Sequence, residues 1–187
     1  MVFVFALAAV SLEKKSAYEA VYWPSGQDLT FSLLGALGLI AGCVLSFRGS
    51  IAQMLVSLLG LLAGLSLGAG AVLRWKAKKP SAAFSVFVVL FYVAKLFRDF
   101  RHWEINPAIL DYCFSLFAMI AFMLASYHAG AFSFERGARR RLAFYSLLGV
   151  LFGAISLAGA QLPELLIYAG SVFWMLACAQ QMLRRSV

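Results

Sequence analysis

The chain has 187 residues, of which 63% are hydrophobic and 13% charged, with a formal net charge of +8. A soluble domain carries roughly 45–50% apolar and about 25% charged residues. A globule of this size could not hide so much apolar surface from water, so the solvent that suits the chain is lipid. The positive charge invites a nucleic-acid reading, but that would need a basic face with aromatic stacking groups in a soluble module, which the sequence does not offer.

Residues 1–12, MVFVFALAAVSL, are apolar but lack a basic flank, which argues against a secretory signal. As a helix they would reach roughly 18 Å at 1.5 Å per residue, short of the ~30 Å hydrocarbon core. Residues 13–28 mix polar and aromatic side chains and read as an interfacial linker, ended by Pro24, Ser25 and Gly26. From there six apolar runs have the length of a membrane span, at about 29–47, 51–73, 81–97, 107–131, 142–160 and 164–183. In lipid only a helix satisfies every backbone group within one segment. The expectation is an all-α, polytopic membrane bundle of six transmembrane helices over residues 29–187. It divides into halves at about 29–98 and 107–185, preceded by the short N-terminal segment.

The basic residues orient the spans. With Glu13 onward placed inside, Lys14, Lys15, Arg74, Lys76, Lys78, Lys79, Arg136, Arg139, Arg140, Arg141, Arg184 and Arg185 share one side. Arg48, Lys95, Arg98 and Arg101 lie at the other. The larger group marks the cytoplasmic side, so both ends of the six-helix domain are expected in the cytoplasm of a cell-membrane protein. The partner this implies is the bilayer itself, with anionic headgroups at the basic loops as a further contact.

Glycines recur at helical spacing: Gly38 and Gly42, then Gly60, Gly64 and Gly68, then Gly149 and Gly153. Small residues four apart let helix backbones approach closely in lipid. The stripes fit packing inside the chain better than a dimer face, though an oligomer stays open. Residues 57–71, SLLGLLAGLSLGAGA, agree with residues 146–160, SLLGVLFGAISLAGA, at nine of fifteen positions. Shorter matches on either side keep nearly the same register. The matched helices would run in opposite directions, as in a 3+3 inverted-topology repeat. Shared Leu/Gly/Ala composition also makes such helices alike, and SLLG recurs at 32–35.

Charge outside the basic loops concentrates between the third and fourth runs, in KLFRDFRHWEINPAILDY, residues 95–112. Asn106-Pro107-Ala108 resembles the triplet of aquaporins. That family carries two such triplets, each at the tip of a half-helix, whereas here there is one, ahead of the fourth span. A cap accounts for it: Asn closes the helix start and Pro sits where no amide donor is needed. Lys95 and Asp111 fall at similar depth near the outer mouth and form the candidate polar pair, with Arg98, Glu104 and His128 as weaker candidates. Ionisable residues in spans are costly and often functional, yet shallow ones can snorkel to the interface.

Cys43, Cys113 and Cys178 lie within apolar runs without metal-ligand spacing, so no disulfide, metal or cofactor is indicated. Ser66, in Gly64-Leu65-Ser66-Leu67, resembles with His128 the serine and histidine of rhomboid proteases, but the histidine lies on the wrong helix and an intramembrane enzyme ranks third. A small-solute permease or channel-like protein ranks first, and a non-transporting accessory or scaffold subunit second. A polar cavity near the midplane, between the two halves, would favour transport; a dry Leu/Gly-packed centre would favour the scaffold.

Overall fold

The computed structural model describes residues 2, 4, 5, 22, 25–47, 50–103 and 109–183, with backbone alone at 102, 103 and 109–111. Among them there is no strand. Long helices form α1 (Gly26–Leu45), α2 (Ile51–Trp75), α3 (Ala82–Trp103), α4 (Ile109–Ala131), α5 (Arg139–Ser156) and α6 (Leu162–Leu183). Short 3-10 turns, Phe132–Phe134 and Leu157–Gly159, follow α4 and α5. Connections of a few residues force neighbours to run antiparallel.

Five helices are long and apolar enough to cross a membrane, namely α1, α2, α4 with its 3-10 turn, α5 with its own, and α6. The third, α3, is as long, but it continues beyond the apolar run 81–97 into a charged stretch. Lys95 and Asp99 stand one turn apart on it and pair, which supports the helix where an apolar count would end it. The start of α5 likewise precedes the apolar run by one turn. A cation at a helix N-terminus opposes the helix dipole, but Arg139 donates from Nε to the Met182 carbonyl, 2.7 Å away at the end of α6.

Local chemistry sets the ends. Ser50 takes an extended conformation before α2 and its hydroxyl accepts from the Gln53 amide at 3.4 Å. At the other end of α2 the Ala77 amide donates to the Arg74 carbonyl and that of Lys78 to the Leu73 carbonyl. This is a Schellman closure, and Ala77 holds the left-handed position, at φ 52°, that usually falls to glycine. The 3-10 turn after α4 closes similarly, with Glu135 at φ 58° and Arg136 donating back to Ala131. The two links meet: Lys79 Nζ pairs with Glu135 Oε1 at 3.1 Å and Ser133 Oγ donates to the Pro80 carbonyl at 3.2 Å.

Each helix packs against the next, and α6 packs back against α1, so the six close a ring. The α1–α6 seam is the tightest. A Cβ built on Gly38 would stand 2.8 Å from Gly170 Cα, and one on Gly42 would stand 2.7 Å from the Pro163 carbonyl oxygen. Gly35 and Gly170 complete this crossing. Gly60 faces Phe91 and Cys43, Gly64 faces Ile40, and Gly149 and Gly153 face Phe122, whereas Gly68 meets only Ala36 at an ordinary 3.7 Å. Leu39, Phe91, Tyr92, Met119 and Phe122, each at most 1% exposed, fill the middle of the ring. Its outer wall shows Leu55, Leu58, Leu62, Leu65, Phe97, Phe114 and Phe117. Such a face suits lipid and would associate in water.

The ring's cyclic order gives no place to a 3+3 inverted symmetry. A two-fold axis in the membrane plane reverses the sense of a ring, so it cannot carry α1 onto α4, α2 onto α5 and α3 onto α6 together. The likeness of α2 and α5 is nevertheless visible as one packing stripe: Ser57 with Ser146, Gly60 with Gly149 and Gly64 with Gly153 are all buried.

Candidate functional site

The ring has two chemically distinct ends. The basic end gathers the start of α1, the α2–α3 and α4–α5 links and the end of α6. There Arg74 joins α2 to α1: its Nε lies 3.5 Å from Asp28 Oδ2 and its Nη2 donates to Ser32 Oγ at 3.1 Å. Ser32 in turn donates to Asp28 Oδ1 at 3.4 Å, and the Tyr22 ring lies 5.6 Å from the guanidinium carbon. A cavity of about 40 Å³ sits beside it, lined among others by Tyr22, Ser66, Arg74, Val88 and Trp174. His128 is near this end, buried and stacked on Tyr145 with centroids 5.4 Å apart. Its ring is thus packed against α5.

The opposite end holds the larger cavity, about 250 Å³ with a mainly polar lining. α1 contributes Cys43, Leu45 and the following Ser46; α2 contributes Gln53, Val56 and Ser57; α3 contributes Phe91, Lys95 and Arg98. Gln161, just before α6, and Pro163, Glu164 and Ile167 on it close the wall. Ser57 lies six residues into α2, or about 9 Å at 1.5 Å per residue, so the cavity reaches roughly a third of the way through a hydrocarbon core of ~30 Å.

Its charge comes from one ion cluster. Lys95 Nζ donates to Asp99 Oδ2 at 2.7 Å, and the two side chains are 2% and 3% exposed. Arg98 donates from Nε to Asp99 Oδ1 at 2.8 Å and reaches the same oxygen with Nη2. Arg98 Nη2 also faces Glu164 Oε1 of α6 at 3.9 Å, and the Tyr168 ring lies 5.8 Å from Lys95 Nζ. Asp99 therefore stands behind two cations, and these face the cavity with Glu164. The hydroxyls of Ser46 and Ser57 and the side-chain amides of Gln53 and Gln161 make no hydrogen bond among the described residues, which leaves them available to a solute or to water.

The two cavities approach one another along the ring axis. On α3 the basic-end lining stops at Val88 and the opposite lining starts at Phe91, three residues or about 4.5 Å of rise apart. Tyr92 crosses the gap, donating from Oη to Ser171 Oγ of α6 at 2.8 Å, while Ser171 donates to the Ile167 carbonyl at 2.7 Å. The Tyr92 ring leans on Phe91 and Phe122, with centroids 5.2 and 5.5 Å away. The middle of the bundle is thus an aromatic plug between the two cavities.

Of the residues singled out in the sequence, Lys95 and Arg98 line the same cavity. The partner of Lys95 is Asp99, one turn along its own helix. The side chain of Asp111, all of Glu104 and the triplet Asn106-Pro107-Ala108 lie outside the described residues, as do Arg48, Arg184 and Arg185. Sequence reasoning passed over Asp99, Glu164, Ser57 and Tyr92. Asp99 had a signal, its spacing of four from Lys95. Glu164 and Ser57 had none, because their role comes from helices distant in sequence. Compared with known proteins, the chain matches no family model, no curated protein and no solved structure.

Proposed function

We propose that the chain is a small-solute permease or channel-like protein of the cell membrane, seen closed. Six spans cross the bilayer, with the basic end in the cytoplasm. The charged last turns of α3 belong at the far interface, where Arg98 and Arg101 reach water. The observation that carries the reading is the polar cavity of about 250 Å³ at the outer end, with a buried ion pair in its wall. Burying charges costs several kcal/mol per ion before their mutual attraction is counted. A bundle built only to stay folded has no need of such a feature beside a polar cavity. Phe91, Tyr92 and Phe122 would then be the gate, and the basic-end cavity the exit.

The packed centre favours a second reading, a non-transporting accessory subunit. Stopped-flow light scattering of proteoliposomes under a gradient of small polar solutes separates the two. A permease returns vesicle volume faster than protein-free vesicles for at least one solute, and slowly again in Arg98→Gln. An accessory subunit gives the protein-free rate throughout, although the protein is folded.

A further inference from the structure

We infer that the outer cavity binds a small zwitterion of the α-amino-acid type, with its carboxylate on Lys95 and Arg98 and its ammonium on Glu164. This deepens the permease reading and rests on it for passage across the membrane, but not for binding.

The size comes first. An apolar cavity of about 150 Å³ takes benzene, so about 250 Å³ admits a solute of roughly ten non-hydrogen atoms. The charges come next. Lys95 spends one of its three donors on Asp99, and Arg98 Nη1 makes no hydrogen bond among the described residues. Both cations therefore keep donors for a carboxylate. Glu164 is 45% exposed at the side chain, and its 3.9 Å approach to Arg98 is too long for a hydrogen bond. It is loosely held and ready to take an ammonium. With Asp99 included the cluster is balanced, two cations against two carboxylates. A bare anion would unbalance the site and meet Glu164; a bare cation would meet Lys95 and Arg98. An α-amino acid carries both charges about one carbon, so its dipole can lie antiparallel to the Arg98–Glu164 pair. Ser46, Gln53, Ser57 and Gln161, whose side chains make no hydrogen bond among the described residues, favour a polar side chain on the solute.

The test is binding to the purified chain in lipid nanodiscs, measured by titration calorimetry. L-serine and L-glutamine are compared with 3-hydroxypropionate and ethanolamine, which lack the ammonium and the carboxylate of serine, and with the uncharged erythritol. At least one of the amino acids is expected to bind about ten-fold or more tightly than any of the other three solutes, the worth of a charge-assisted hydrogen bond. Glu164→Gln, a near-isosteric change at a half-exposed side chain, is expected to reduce the preference over 3-hydroxypropionate to within about three-fold. Equal binding of the amino acid and its truncated forms, tighter binding of erythritol, no saturable binding of either amino acid, or an unchanged preference in Glu164→Gln would each overturn the inference. Binding without flux would keep it and remove the permease reading. Flux of an uncharged solute without amino-acid binding would do the reverse.

Discussion

Asp99→Asn cuts the ion cluster of Lys95, Arg98 and Asp99 at its centre. Asp99 is the carboxylate that both Lys95 and Arg98 grip, and the asparagine amide has nearly its shape but no charge. Lys95, 2% exposed at the side chain, would be left as a buried cation without its counter-charge. Removing one partner of a buried pair costs about 3–5 kcal/mol. In proteins of this length about 1 kcal/mol shifts the melting temperature by roughly 2–4 °C, so Asp99→Asn should fall by about 6–20 °C. The double variant Lys95→Met with Asp99→Leu should recover most of the loss. It removes both desolvated charges, and apolar replacement of a buried pair is often neutral or stabilising by about 1–4 kcal/mol. Arg98 keeps Glu164 nearby. The assay is unfolding in detergent followed by tryptophan fluorescence at one fixed scan rate, because irreversible unfolding makes the midpoint rate-dependent. The reasoning is refuted if Asp99→Asn melts within about 2 °C of the parent, or if the double variant loses the sum of the single effects.

Other positions give independent checks. Gly38→Val drives a side chain into the backbone of α6 at Gly170 and should cost about 1–3 kcal/mol or separate the seam. Gly70→Ala, where a Cβ meets nothing within 4 Å, should be neutral or gain up to about 1 kcal/mol of helix propensity in the same melting assay. Ala77→Gly relieves an alanine at φ 52° and should stabilise by about 1 kcal/mol in the same assay, provided the closure after α2 is as described. Tyr92→Phe deletes the bond to Ser171 and should lower stability by about 0.5–1.5 kcal/mol. If that bond latches the plug, the variant should also pass solute faster than the parent in proteoliposomes; equal or slower passage would separate Tyr92 from gating.

The architecture was legible in the sequence where one strong periodic signal acts alone. Runs of apolar residues fixed the existence of the helices, and the Gly38/Gly42 spacing marked a seam that the structure places against α6. The end of α3 was misread because an apolar count stops at a charge, whereas Lys95 and Asp99 neutralise one another within the helix. The likeness of α2 and α5 does not by itself mark a repeat, because a buried Ser/Gly stripe recurs wherever a lipid-embedded helix must pack closely. The cavity was only half legible. Its α3 wall, Lys95 and Arg98, is local in sequence. Its other walls come from Ser57 on α2 and Glu164 on α6, and only the ring brings these together. Tyr92 showed no distinguishing mark, since an aromatic in an apolar run declares nothing until Ser171 is found opposite its hydroxyl.

The most direct test of the account is counterflow of radiolabelled L-serine and L-glutamine in proteoliposomes preloaded with the same unlabelled solute. Transient accumulation of label is expected for at least one of them in vesicles holding the parent chain, with its loss in folded Arg98→Gln. Label that enters no faster than into protein-free vesicles, from a preparation whose melting matches the native protein, would contradict it.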